Sequence, residues 1–137
     1  MPDQFPEDSF PKNHAPSLRT VAMPADANPS GDIFGGWIMS QMDLAGAIYA
    51  SYMVKGRLVT VAVKGMTFHL PVFIGDQVSC YCAVEKIGTT SISIRIETWV
   101  RRKQSAEQNL KVTEATYTYV SIDQHRRPTA IKRIDGA

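Results

Sequence analysis

The stretch Ile33–Val54, IFGGWIMSQMDLAGAIYASYMV, contains a single charged residue, Asp43, and no proline. From Gly36 to Met53 the apolar residues occupy nearly every face of a 3.6-residue period, which is typical of a helix enclosed by protein. The stretch is also long enough to span a bilayer. However, polar residues such as Ser40 interrupt it, and a carboxylate in mid-segment costs about 3 kcal/mol in a lipid-embedded helix. We therefore predict a buried helix and no membrane span.

On both sides of this helix the hydrophobic pattern predicts strands, since apolar and polar residues alternate with a period of two. The predicted strands are Leu18–Met23, Leu58–His69, Val78–Val84, Ile92–Val100 and Leu110–Ser121. A strand, a long helix and four antiparallel strands joined by short turns form an α+β domain whose sheet curls around the helix. One chain leaves part of such a helix uncovered, so we expect the domain to dimerise.

The composition fits one globular domain without general affinity for nucleic acid. The chain has 137 residues, 44% hydrophobic and 20% charged, and its net charge of +2 is too small to attract DNA or RNA. Residues 1–16 hold four of the eight prolines and no apolar signal segment, so they are predicted to be a flexible arm. We expect the domain at 17–122 and a basic tail at 123–137.

Cysteine and histidine usage indicates neither a disulfide scaffold nor a metal site. Cys80 and Cys82 are too close in sequence to join distant elements, which favours a reduced, cytoplasmic location. Their alternation places both thiols on one strand face, where cysteine acts as a small hydrophobic residue. His14, His69 and His125 have no metal-ligand spacing, and none is close to the helix in sequence. Phosphate-binding loops and nucleophile-elbow motifs are absent from the sequence.

Asp43 is the residue that needs explanation, because a buried carboxylate without a partner is costly. One interpretation is structural: the aspartate lies at the open rim of the helix or binds a loop amide. The other is chemical: it is a general base or nucleophile in an apolar pocket. The residues alone leave both open.

The glycine pair Gly35-Gly36 at the helix entrance has two interpretations as well. The glycines either let the chain turn into the helix or expose backbone N–H groups that bind a developing oxyanion. Asp43 lies about 11 Å along the helix from this pair, given the rise per residue. That is too far for both to act on one carbonyl within a chain, but a dimer makes a site with the second subunit's Asp43 available.

The run Asn28–Asp43, NPSGDIFGGWIMSQMD, resembles the signature of the hotdog-fold acyl-CoA thioesterases, specifically the bacterial YciA-like group. The resemblance continues through Arg57–Val63 and Met66–Phe68 and covers about residues 17–122. It implies a hotdog fold, in which a curved antiparallel sheet wraps a long central helix. It also implies hydrolysis of acyl-CoA to a free acid and CoA, with no cofactor beyond the CoA of substrate and product.

The same resemblance implies roles for individual residues. Asp43 corresponds to the catalytic carboxylate, as general base or nucleophile, and Asn28 to the residue that positions water or substrate across a dimer interface. The Gly35-Gly36 backbone corresponds to the oxyanion site. The CoA-binding turn corresponds to Gly88, Thr89, Thr90 and Ser91. Family members form dimers with two shared sites, commonly assembled as trimers of dimers.

Thr89 stands where some relatives carry a basic residue, so the CoA phosphates need another partner. The candidates are the basic residues of the predicted tail, Arg126, Arg127, Lys132 and Arg133, and the competing interpretation is that they are solvated.

Two other functions compete with hydrolysis. A non-catalytic hotdog module that binds acyl-CoA as a sensor would keep the pocket but would not need Asp43. A hotdog dehydratase resembles a different pattern that depends on a histidine. Activity towards acyl-CoA, with and without Asp43, separates these alternatives.

Overall fold

The fold consists of one long helix and five strands, seen in a computed structural model that describes residues 10–102 and 108–135. The elements are β1 (Leu18–Val21), a 3₁₀ turn (Pro24–Asp26), α1 (Gly35–Ser51), β2 (Arg57–Phe68), β3 (Gln77–Ile87), β4 (Ser91–Arg101) and β5 (Asn109–Ile122). Residues 1–9 of the predicted arm, 103–107 in the polar connection before the last predicted strand, and 136–137 of the predicted tail lie outside the described residues.

The strands form one antiparallel sheet in the order β1-β3-β4-β5-β2, and α1 packs mainly over β3 and β4. The sheet curls around the helix, so the predicted α+β class and the hotdog architecture are confirmed. Strand β2 lies at one edge of the sheet. Within the described residues it pairs only with β5, and its other edge is unpaired.

The core lies between α1 and the inner face of the sheet. The helix contributes Ile38, Met42, Ala45 and Ala50, all at most 2% exposed. Gly46 belongs to the same face, and its missing side chain lets the sheet approach the helix.

Cys80 and Cys82 lie in this core, as their alternation predicted. Burial raises the pKa of Cys80 to about 11 and that of Cys82 to about 12. Both thiols are therefore protonated and poorly nucleophilic at neutral pH.

The opposite face of the helix is apolar but is not covered by the described part of its own chain. Leu44 is 53% exposed and Ile48 is 38% exposed, and Val61 on the β2 edge is 55% exposed. A long unpaired strand beside an exposed apolar helix face is normally covered in the native assembly. The helix predicted to be enclosed by protein is thus enclosed on one side only within a single chain.

Residues 123–135 of the predicted basic tail are attached to the domain by backbone hydrogen bonds. Lys55 N–H donates to Lys132 O over 2.8 Å, and Ile134 N–H donates to Met53 O over 2.8 Å. Ile131 N–H donates to Thr89 O, also over 2.8 Å. The domain boundaries at residues 16 and 122 stay predictions.

Candidate active site

The loop before α1 is held rigidly by hydrogen bonds, and Asn28 is at its centre. The Asn28 side-chain oxygen accepts hydrogen bonds from Ser30 N–H at 2.9 Å and Asp32 N–H at 3.1 Å. Gly31 completes the turn with a φ of +91°, a conformation that favours glycine. Because the oxygen of Asn28 is used in the loop, its amide NH₂ is the group available to a ligand. Within the described residues this NH₂ has no hydrogen-bond partner.

The N-terminus of α1 is open to a ligand. The N-cap residue, Phe34, provides no side-chain cap. The first N–H groups of a helix have no acceptor within the helix, and those of Gly35 and Gly36 make no other backbone hydrogen bond in the part of the chain that is described. These groups also lie at the positive end of the helix dipole. They can therefore stabilise negative charge on a carbonyl oxygen.

Asn28 and Gly35 line the same cavity, which has a volume of about 380 Å³. The other lining residues are Asp32, Ile33, Ile38, Phe68, His69, Leu70, Pro71 and Val72. Half of this lining comes from the end of β2 and the segment after it. This segment is joined to the Asn28 loop by a hydrogen bond from Ile33 N–H to Val72 O at 2.9 Å. We call this space the reaction cavity. Gly36, the second predicted oxyanion residue, follows Gly35 in the first helical turn.

Asp43 lies about two turns further along α1 and does not line the reaction cavity of its own chain. Its carboxylate Oδ1 accepts a hydrogen bond from Thr60 Oγ1 at 2.6 Å, near the start of β2. The structure therefore brings Asn28 and Gly35 together but places Asp43 elsewhere in the same chain. Asp43 is partly exposed and faces the β2 edge, so its carboxylate is not fully buried. Its hydrogen-bond partner is a threonine hydroxyl and not a loop amide.

Thr60 is not among the predicted site residues, although it lies within the segment Arg57–Val63 that resembles the family. A threonine in an alternating strand is unremarkable in sequence, and only the packing of β2 against α1 brings it to Asp43. A break in the β2–β5 register follows directly, between Thr60 and Ala62. Such β-bulges bend a strand and redirect its side chains, and they are frequent beside active sites.

His69 directly follows β2, in agreement with the strand end predicted there, and it also lines the reaction cavity, which the sequence did not indicate. Its Nε2 is 3.1 Å from Glu114 Oε2, and Glu114 also pairs with Arg95 and Lys111. Burial raises the pKa of Glu114. The hydrogen bonds from Lys111 and His69, together with the charges of Lys111 and Arg95, outweigh it and lower this pKa overall. His69 is thus held by a charged carboxylate.

The predicted CoA-binding turn, Gly88–Ser91, connects β3 to β4 and adjoins a second cavity of about 390 Å³. The link is Ser121, which lines this cavity and donates its backbone N–H to Thr90 O at 2.8 Å. Two lysines, Lys55 and Lys132, also line it. Lys132 is one of the four basic residues predicted as candidates for phosphate binding, and it lines this cavity. Lys55 was not among those candidates. We call this space the lysine cavity.

Two further observations concern other possible sites. Among the described residues, no group of three histidine, cysteine, aspartate or glutamate side chains is arranged to bind a metal ion. None of the helices in the described part of the chain has the length and apolar character needed to cross a membrane.

The family follows from comparison with known proteins. The sequence profile of the thioesterase superfamily matches residues 30–106, more than half of the chain. The chain belongs to this superfamily. The match includes the helix with Asp43, the uncapped N-terminus of α1 and the turn Gly88–Ser91.

Individual thioesterases are similar over most of the chain. The acyl-CoA thioester hydrolase YciA of Escherichia coli K12 is 54% identical over 116 residues, which are 83% of this chain and 88% of that protein. The hexameric thioesterase y2039 from Yersinia pestis is 51% identical with a TM-score of 0.82, covering 90% of this chain and 99% of that one. The hexameric hotdog fold thioesterase Cj0915 of Campylobacter jejuni is 46% identical with a TM-score of 0.80, covering 86% and 90%. The resemblance to the YciA-like group is confirmed.

Proposed function

We propose that the chain hydrolyses acyl-CoA thioesters to free carboxylic acids and CoA, at sites shared between two subunits. The observation that carries this proposal is the presence of two reactive groups in one chain. An open helix N-terminus lies beside Asn28, near the end of β2, and Thr60 holds the Asp43 carboxylate near the start of β2. These are the groups that cleavage of a thioester requires. The E. coli relative, 54% identical, is an acyl-CoA thioester hydrolase.

The position of β2 supports a shared site. Thr60 and Asp43 lie near the start of this strand, whereas the reaction cavity lies at its end, around Phe68. When the β2 strands of two subunits pair edge to edge about a two-fold axis, they run antiparallel. The start of one β2 then lies beside the end of the other. In such a dimer, Asp43 of the second subunit faces the reaction cavity of the first. The exposed Leu44, Ile48 and Val61 would be buried in the same interface.

The chemistry then needs no metal ion or redox group. The Gly35 and Gly36 N–H groups and the Asn28 amide orient the thioester carbonyl and stabilise its developing negative charge. Asp43 of the second subunit takes a proton from a water molecule whose oxygen attacks the carbonyl carbon. The tetrahedral intermediate then collapses, the C–S bond breaks, and CoA leaves as a thiolate that takes up the proton. Direct attack by Asp43, through a mixed anhydride, is the alternative course.

The lysine cavity supports binding of the CoA phosphates. Lys55 and Gly56 line it and immediately precede β2, so it lies at the same end of β2 as Thr60. In the proposed dimer it therefore adjoins the reaction cavity of the other subunit. A substrate with its thioester in the reaction cavity can extend its phosphates towards Lys55 and Lys132, with the Gly88–Ser91 turn alongside.

A non-catalytic acyl-CoA sensor is the second candidate, since both cavities suit a bound ligand. It does not explain why a carboxylate is held by a 2.6 Å hydrogen bond on an otherwise apolar helix. The dehydratase alternative depends on a catalytic histidine. His69 does line the reaction cavity, where it is paired with Glu114, but the 54% identical E. coli relative is an acyl-CoA thioester hydrolase.

The assembly and the location are part of the same proposal. The Yersinia and Campylobacter relatives are hexameric, which supports a trimer of dimers for this chain. Two buried, unpaired cysteines support a cytoplasmic location.

The direct test is release of free thiol from a panel of acyl-CoAs of different chain length by the purified protein. We expect release from at least part of the panel at kcat values of about 1 s⁻¹ or more. The two cysteines of the enzyme should contribute little background, because both are buried and protonated. Tight binding of acyl-CoA without any thiol release would instead support the sensor.

Mixed dimers test whether the site is shared. Asn28→Ala and Asp43→Ala chains are each expected to be inactive as homodimers. After unfolding and refolding together, half of the dimers are mixed and each contains one intact site, so about one quarter of the wild-type activity should return. A mixture of Asp43→Ala with Asp43→Asn is the control, since no pairing of these chains restores Asp43. Absence of recovery in the first mixture would contradict the shared site.

The two lysines are expected to affect binding of the substrate rather than chemistry. The Lys55→Gln/Lys132→Gln variant should raise KM for acyl-CoA about tenfold at low salt and leave kcat within about twofold, because each phosphate loses a charged partner. KM for an acyl-pantetheine, which lacks the nucleotide phosphates, should not change. Lys86→Gln, an exposed lysine outside both cavities, is the matched control. An equal rise in KM for both substrates would show that the lysines act on the fold.

A further inference from the structure

The hydroxyl group of Tyr119 contacts the backbone of Asp43 itself. Tyr119 Oη donates a hydrogen bond to Asp43 O at 2.8 Å, and Tyr119 is 1% exposed. A carbonyl oxygen can accept two hydrogen bonds, so this bond adds to the one within the helix. Gly46 makes the approach possible, since a Cβ at that position would collide with the tyrosine hydroxyl.

Tyr119 and Thr60 are direct cross-strand partners in the β2–β5 register. From these neighbouring positions, Thr60 binds the side chain of Asp43 and Tyr119 binds its main chain. We call these two contacts the Asp43 clamp. The register break after Thr60 lies directly beside the clamp.

We propose that Tyr119 is a positioning residue for hydrolysis, which fixes Asp43 on α1 at the place where its carboxylate meets Thr60. The inference rests on the proposed function, in which Asp43 of one subunit acts in the reaction cavity of the other. The bonds within the helix fix the spacing of Asp43 along α1 but not the position of α1 relative to β2. A direct hydrogen bond from the sheet to residue 43 sets that position, and a shift of about 1 Å in a catalytic group costs about 100-fold in rate.

Tyr119 keeps its proton under all assay conditions, so it stays a donor. Burial raises the pKa of its hydroxyl, and the negative charge of Asp43 raises this pKa further. The Tyr119 contact of the clamp is therefore present over the whole pH range of the assays.

Tyr117 is a matched control within the same strand. It is also 1% exposed, and its hydroxyl donates to Met39 O at 2.9 Å, one helical turn before Asp43. Tyr117→Phe and Tyr119→Phe each remove one buried hydroxyl that binds a carbonyl of α1. A purely structural role predicts the same outcome for both variants, whereas a positioning role predicts a loss of activity in Tyr119→Phe alone.

We expect Tyr119→Phe to lower kcat about tenfold with KM within about twofold, and Tyr117→Phe to leave both unchanged. Both variants should lower Tm by a similar few degrees. In a Thr60→Val background, Tyr119→Phe should lower kcat by less than about threefold, because the clamp is already broken. Equal kcat losses in the two phenylalanine variants, no loss in Tyr119→Phe, or additive effects with Thr60→Val would each overturn the inference.

Crystal structures of the two phenylalanine variants provide a readout that is independent of activity. The Thr60 Oγ1–Asp43 Oδ1 distance should lengthen in Tyr119→Phe and stay near 2.6 Å in Tyr117→Phe. An unchanged distance in both variants would overturn the inference even if acyl-CoA is hydrolysed. If the wild type hydrolyses no acyl-CoA, the proposed function fails, and these distances still decide whether Tyr119 positions the Asp43 carboxylate.

Discussion

Replacement of Asp43 with asparagine is expected to lower kcat for acyl-CoA hydrolysis by about 1,000-fold, within the range for loss of a general acid–base group. Asparagine keeps the size of the side chain and the oxygen that accepts the Thr60 hydrogen bond, but it cannot take a proton from water. KM should change little, because the proposed substrate contacts come from Asn28, the helix N-terminus and the lysine cavity. Steady-state thiol release with several acyl-CoAs measures both constants.

The control for this substitution is Glu85→Gln, which neutralises an exposed carboxylate on β3 outside both cavities. It is expected to leave kcat, KM and Tm unchanged. Activity of Asp43→Asn within tenfold of the wild type would exclude Asp43 as general base or nucleophile. A loss of activity accompanied by a large fall in Tm would instead assign Asp43 a structural role.

Substitution of Gly46 with alanine is expected to destabilise the fold by about 2 kcal/mol, the usual size of an overpacking effect. A Cβ at this position would lie 2.8 Å from Ile96 Cδ1 and closer still to the Tyr119 hydroxyl. The side chains of Tyr119 and Ile96, or the strands that carry them, must then shift away from α1, which disrupts the Asp43 clamp. We expect Tm to fall by about 6–10 °C at constant protein concentration, together with a reduced kcat.

Gly36→Ala is the matched control for helix propensity, because it is also a glycine of α1 but no atom lies within 4 Å of a Cβ at that position. Alanine is favoured over glycine in a helix by about 1 kcal/mol, so Gly36→Ala should keep or raise Tm. If Gly46→Ala is as stable as Gly36→Ala, the close approach of β5 to α1 at this glycine does not exist in solution.

The helix and the order of the elements along the chain were predictable because they depend on local patterns. A long apolar run without proline specifies α1, and the period-two alternation specifies β2 to β5. Asn28, Gly35 and Asp43 could be predicted as site residues for a similar reason. All three lie in one continuous segment whose amino-acid sequence is unusual and resembles the family signature. The positions of Cys80 and Cys82 in the core followed from their alternation alone.

Thr60, Tyr119 and His69 could not be found in this way. Thr60 and Tyr119 are ordinary strand residues and His69 directly follows β2. The role of each depends on which strand lies beside which part of α1. That arrangement is set by sheet order and register, and β2 and β5 are paired although they are far apart in sequence. The backbone attachment of residues 123–135 escaped prediction as well, because hydrogen bonds to Met53, Lys55 and Thr89 have no signature in side-chain composition.

The type and order of the elements, and the presence of one charged residue on an apolar helix, are therefore properties of the amino-acid sequence. They arise from backbone preferences and from the spacing of apolar side chains over a few residues. The contacts that hold Asp43, and its separation from the reaction cavity of its own chain, arise only when the sheet curls around α1. Long-range pairing decides those distances, because residues distant in sequence meet only through the packing of strands against the helix.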